Sequence, residues 1–170
     1  MRRMNIQYYV EGECEKKLIN VLKSDLGVIK SGKVQKLNVV QNIISDAILR
    51  TLSNGTTVVL VFDTDTENLD ILNKNIEKLK ACSFVSKIIT IPQVPNLEEE
   101  LVRSCKVKKI TELLNSSSKR EFKSDMIRVS NLHSKLKKHE FDIKLFWSQQ
   151  SQAPYQGIVN DADKIKIISK

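Results

Sequence analysis

Two acidic clusters in this chain each follow an apolar run. Asn5-Ile6-Gln7-Tyr8-Tyr9-Val10 leads into Glu11-Gly12-Glu13-Cys14-Glu15, and Thr57-Val58-Val59-Leu60-Val61-Phe62 leads into Asp63-Thr64-Asp65. If both runs are strands of one parallel sheet, their C-terminal ends share the edge where open α/β folds bind ligands. Carboxylates gathered on that edge repel one another, and a divalent cation is the simplest partner that holds them together. Asp63 and Asp65 offer hard anionic oxygens suited to Mg²⁺ or Mn²⁺. Gly12 permits a sharp turn and close backbone approach behind Glu11, and Glu15 reaches the same edge from the first turn of the next helix. The competing reading, acids that merely complement a helix dipole, covers Glu13 and Glu15 but leaves Glu11 unexplained.

Other chemistries that use D-x-D fail on their neighbours. An EF-hand loop counted from Asp63 needs Gly where Asn68 stands and Glu where Lys74 stands. A haloacid-dehalogenase-type phosphatase expects Thr or Val at Glu67. No G-x-x-x-x-G-K-[ST] phosphate loop occurs, and the five glycines form no dinucleotide fingerprint. His133 and His139 are badly spaced for joint metal ligation on a helix and read as surface residues. Phe146-Trp147 reads as core rather than as a base-stacking pair.

The elements that would position these acids follow from hydrophobic periodicity. Residues 13–26 read as a helix, 28–37 as an ambiguous stretch with room for a short strand, and 37–52 as an amphipathic helix on Val40, Ile43, Ile44, Ala47, Ile48 and Leu52. Residues 56–62 are the clearest strand, 68–80 a helix, and 84–91 a further strand closed by Pro92 and Pro95. Asn96 opens a helix over 97–105, Ser118 opens another towards Arg128, and a basic helix spans 132–139. Residues 141–147 read as a strand or a docking segment, and 148–170 receive no assignment. The alternation predicts an α/β fold with a parallel sheet of about four strands flanked by helices and a helical, basic C-terminal extension. We divide it as a core over residues 1–105 and an extension over 106–170, packed as one unit.

At 170 residues the chain can bury a substantial core. No apolar run is long enough to span a bilayer, residues 1–5 do not open a signal peptide, and three scattered cysteines support neither disulfides nor a zinc motif. The expectation is a cytoplasmic protein without membrane contact. Charge is uneven: residues 1–100 carry 13 basic and 13 acidic side chains, while 101–170 carry 15 against 7, so the whole excess of +8 lies in the last part. An acidic edge beside a basic surface suits a polyanionic partner such as nucleic acid.

A strand ending in E-G-x-x-E followed about 50 residues later by a strand ending in D-x-D resembles the Toprim domain over roughly residues 4–100. That domain is shared by topoisomerases, bacterial primases, RNA-maturation nucleases, and the OLD and RloB-like nucleases. Asn96-Leu97-Glu98 looks like the acidic segment of the OLD type, with Glu98 as the counterpart and Glu99 or Glu100 as the alternatives in a shifted register. The extra domains of topoisomerases and primases and the ATPase of OLD proteins are missing, so the closest resemblance is to stand-alone RloB-like nucleases. The resemblance implies cleavage of DNA or RNA phosphodiesters with one or two Mg²⁺ or Mn²⁺ ions, in phage defence or a mobile element. Glu11, Glu15, Asp63, Asp65 and Glu98 would hold metal, with Glu11 also as general acid/base. Lys123, and alternatively Lys109, would stabilise transition-state charge; both are chosen from the basic segment without a motif. Lys108, Lys109, Lys119, Arg120, Lys135, Lys137 and Lys138 would contact nucleic acid. An ATPase or other partner protein and a homodimer remain open. The alternatives are a non-catalytic, nucleic-acid-binding or regulatory subunit of a larger complex, and phosphotransfer on a small phosphorylated ligand.

Overall fold

A computed structural model of the chain describes residues 4–169; Met1–Arg3, where the absence of a leader was read, and Lys170 lie outside the described residues. Four strands, β1 (Ile6–Val10), β2 (Lys33–Lys36), β3 (Thr56–Asp63) and β4 (Val85–Gln93), form an all-parallel sheet in the order β2-β1-β3-β4. β3 is buried along nearly its whole length because a run of β-branched and apolar side chains suits a strand covered on both faces. Val59 and Val61 enter one core, and Val58, Leu60 and Phe62 enter the other, so helices lie on both sides of the sheet. The chain moves from β1 to β2 on one side and then returns to place β3 on the other side of β1. The C-terminal ends of β1 and β3 therefore flank a topological switch point.

On one face pack α1 (Glu13–Asn20), the π-turn Val21–Asp25 that continues it, α4 (Leu97–Ser104), α5 (Thr111–Leu114), α6 (Lys119–Arg128) and α7 (Leu132–Lys138). The other face carries α2 (Asp46–Leu49) and α3 (Asp70–Lys80). No described helix is long and apolar enough to cross a membrane.

The helix expected over 37–52 is largely absent; only Asp46–Leu49 is helical. Asn38 Oδ1 accepts from the backbone N–H of Val40 and Gln41 as a helix cap would, but only a single turn follows it. The fully buried Asn75 of α3 then pins the loop: its Nδ2 donates to the carbonyls of Val39 and Asn42, and its Oδ1 accepts from Ile44 N–H, all at 2.8 Å. Val39, Val40, Ile44 and Leu52 still reach the core, whereas Ile43 is exposed. Pro92 does not close β4, which runs on to Gln93; β4 is an edge strand, where proline costs no ladder bond.

Residues 141–147 form turns, not a strand, and dock Phe146 and Trp147 into the core. The extension is helical as far as Lys138. Beyond it the chain is mostly irregular, with short 3₁₀ turns at Tyr155–Gly157 and Ala162–Lys164 and an antiparallel bridge from Ile29 to Lys166. Gly27 and Gly32-Lys33 stand at phosphate-loop spacing, but Val34 replaces the hydroxyl and a strand follows instead of a helix. Gly32 serves packing: a Cβ there would stand 2.6 Å from Ile6 O and 2.8 Å from Ile6 Cβ. Gly32→Ala is expected to lose about 1–3 kcal/mol in a denaturant titration, because the β1 backbone must move.

Candidate active site

Glu11 directly follows β1, β3 ends in Asp63, and α4 starts just after β4, so Glu11, Glu15, Asp63 and Glu98 all line one cleft of about 380 Å³. Gly12 caps α1 in an extended conformation, and a Cβ on it would lie 3.1 Å from Glu15 Oε2, so glycine lets that carboxylate fold back over the turn. Glu13 lines the cleft as well, at its exposed rim, and pairs with Lys36 at 3.1 Å. Asn96 Oδ1 accepts from Glu99 N–H and starts α4, which sets Glu98 facing the cleft.

Among the described residues Lys123 is the one cation lining this cleft, and its Nζ pairs with Glu98 Oε1 at 3.3 Å. The docking of α6 on α1 places it there. Lys17 Nζ donates to the carbonyls of Ile127 (2.9 Å) and Val129 at the C-terminal end of α6. The Cys14 thiol lies 3.6 Å from the Lys123 carbonyl. Lys119 and Arg120 line an adjoining cleft of about 390 Å³ with Asn96, Glu98, Glu99 and Lys123.

Asp63 accepts from Gln93 Nε2 at 2.7 Å, while its own N–H donates to Glu11 Oε2 at 3.1 Å. Burial first, then the charges of Glu11 and Glu15, push the Asp63 carboxyl up to about 8, against the opposing bond from Gln93. Burial also raises Glu11, assisted by Asp65 and opposed by the Asp63 N–H and Lys123. Burial raises Glu15 too, with Glu11 and Glu98 adding to it. Glu98 raises Lys123.

Asp65 is exposed and does not line the cleft, although its charge is felt by Glu11 and Asp63. Lys108 and Lys109 are exposed ahead of α5, and Lys135, Lys137 and Lys138 sit on α7; none of them lines either cleft. His133 and His139 line neither.

The carboxylates present a hard-oxygen donor set that fits Mg²⁺ or Mn²⁺ in chemistry. As placed, however, no group of three or more His, Cys, Asp or Glu side chains among the described residues is gathered closely enough to hold a metal ion. Glu11 and Glu98 are each turned to a protein partner, so closing a three-ligand set around Asp63 requires those two side chains to change rotamer.

Sequence reading missed Gln93, which is the register partner of Asp63, and Tyr155, whose hydroxyl bonds Thr66 Oγ1 at 2.7 Å and ties down the loop after Asp65. The signal for Gln93 was its place at the end of a strand, hidden by ending that strand at Pro92.

The raised Asp63 carboxyl fixes a pH dependence. Its folded value, about 8, exceeds its ordinary 3.8, so the native state holds a proton that the unfolded chain releases between them. This contribution to stability is complete below pH about 4 and is lost as pH rises towards 8, at no more than about 1.4 kcal/mol per pH unit. The melting temperature of the metal-free protein should fall over that window, and Asp63→Asn should flatten the fall.

No family model, curated protein or solved structure matches this chain.

Proposed function

We propose that this chain is a Toprim-type nuclease that hydrolyses phosphodiester bonds of DNA or RNA with Mg²⁺ or Mn²⁺ in the cytoplasm. One observation carries the reading: Glu11, Glu15, Asp63 and Glu98, carried by the ends of β1 and β3 and the starts of α1 and α4, line one cleft at the switch-point edge of a parallel sheet with Glu13 at its rim, facing a lysine. Part-buried like charges lining one cleft favour a cation. Glu11, Glu15, Asp63 and Glu98 would hold one or two ions, with Asp65 added from the rim. Bound there, the metal would supply Lewis-acid polarisation of the phosphoryl oxygen and activation of water.

The protein's own groups supply the rest. Glu11, with its carboxyl raised above its ordinary value by burial, can take and return a proton. Lys123 is aimed into the cleft to meet developing phosphoryl charge. Lys119 and Arg120 in the adjoining cleft would hold the neighbouring phosphate, fixing the strand without reading its sequence.

Incubation with single- and double-stranded DNA and RNA in Mg²⁺ or Mn²⁺ tests this. Wild type should cut at least one of them, and Glu11→Ala should slow cutting by about 10²–10⁴. Equal cutting by both proteins, or binding without cutting, sinks the nuclease reading. The second outcome selects a non-catalytic nucleic-acid-binding or regulatory subunit, a reading favoured by the absence of a ready-made three-ligand metal cluster among the described residues. Cleavage of small phosphoesters alone selects phosphotransfer on a small ligand.

A further inference from the structure

We propose that Gln93 and Trp147 are positioning residues, a two-bond relay that fixes the rotamer of the Asp63 carboxylate and so sets the metal affinity of the cleft. The inference rests on the metal-dependent reading above. Gln93 ends β4 beside Asp63, is fully buried, and spends both ends of its amide: Nε2 donates to Asp63 Oδ1 at 2.7 Å, and Oε1 accepts from Trp147 Nε1 at 3.2 Å.

The chemistry of the indole dictates which way this amide points. An indole N–H can only donate, so the amide oxygen must face Trp147, and the NH₂ group must then face Asp63. The reverse orientation would set carbonyl against carboxylate and N–H against N–H, both in the interior. Trp147 thus selects the single amide orientation that donates to Asp63. One oxygen of Asp63 is held from the sheet side, and the other remains for a ligand in the cleft.

Trp147 is itself held in a conformation that a bulky residue seldom adopts. Its φ is 55°, in the left-handed region, where a non-glycine residue costs about 1–3 kcal/mol. Burial of the ring alone would not require this backbone. What the conformation achieves is two simultaneous bonds: the backbone N–H donates to Glu100 Oε2 at 2.9 Å while the indole N–H meets Gln93. Asn160 Nδ2 holds the Trp147 carbonyl at 3.0 Å. The tail after α7 therefore reaches the acidic edge through a chain of bonds, without lining the cleft.

Trp147 is the only tryptophan in the chain, so its indole gives a single unambiguous ¹⁵N–¹H cross-peak. Asp63→Ala should move that peak and speed its hydrogen exchange, while Glu98→Ala should leave it in place. Gln93→Met, close in size but without the donor, should weaken Mn²⁺ binding about tenfold in a titration and slow cleavage with it. Trp147→Phe, which keeps the ring but frees the amide to turn, should act in the same direction. Leu136→Val, a core truncation on α7, should lower the melting temperature and leave Mn²⁺ affinity unchanged. The relay is overturned if Gln93→Met binds Mn²⁺ like wild type, or if Asp63→Ala leaves the indole peak where it was. A wild type that takes no Mn²⁺ overturns the metal reading alone, and the cross-peak then decides the relay.

Discussion

Asp63→Ala is expected to cut the rate of phosphodiester cleavage by about a thousandfold while raising the melting temperature of the metal-free protein. The two effects share one cause. Asp63 lies between the sheet and the cleft, pushed up to about 8 by burial and by Glu11 and Glu15, so its charged form is a liability in the empty protein. Deleting it relieves that repulsion. The same charge is what would draw a divalent ion, and a Lewis-acid contribution of about 4 kcal/mol corresponds to a factor of about a thousand. Saturating Mg²⁺ should reverse the stability ranking, because ligand at about a hundred times its Kd adds about 2.7 kcal/mol to wild type and much less to the variant. Melting curves at pH 8 with and without Mg²⁺, beside a cleavage assay, check all three statements. A variant that loses activity and stability together would place Asp63 among ordinary structural acids.

The parts of this site legible in the sequence are those that strand geometry dictates. A run such as Thr57–Phe62 can only be a buried strand, and parallel strands must deliver Glu11 and Asp63 to one edge. Glu98 is singled out by the resemblance of Asn96-Leu97-Glu98 to an acidic segment, and Asn96 does cap the helix that carries it. Lys123 reached the cleft through the docking of α6, which no local pattern encodes. Where the sequence reading failed, a long-range polar contact had overruled a local pattern. The helical spacing of Val40, Ile44 and Leu52 is real, but Asn75, more than 30 residues away, takes up the backbone groups a helix would need. Trp147 reads as core, where it lies, but its bond to Gln93 goes unread for the same reason: a glutamine at a strand end and an indole N–H in a turn acquire their meaning only from each other.

The three consecutive glutamates at the start of α4 should respond quite differently to alanine, and Glu100 should carry the largest stability loss. Its carboxylate is completely buried. Oε1 accepts from Val94 N–H and pairs with Arg103 Nη2, and Oε2 accepts from Trp147 N–H, all at 2.9 Å. Arg103 also donates to the Val94 carbonyl. One side chain thus joins the loop after β4, the helix α4 and the tail. Glu100→Ala strands the buried Trp147 N–H and takes the carboxylate partner from the Val94 N–H and a part-exposed guanidinium, a loss of about 3–5 kcal/mol and of roughly 10 °C in melting temperature for a chain of this size. Glu98→Ala breaks only a part-exposed pair with Lys123, worth about 1 kcal/mol or less, and its effect should fall on cleavage. Glu99→Ala should change stability by no more than about 0.5 kcal/mol. If these acids served only to complement the helix dipole, all three would cost the same few tenths of a kcal/mol, so melting curves of the three variants separate a helix that presents a site from one that merely begins with negative charge.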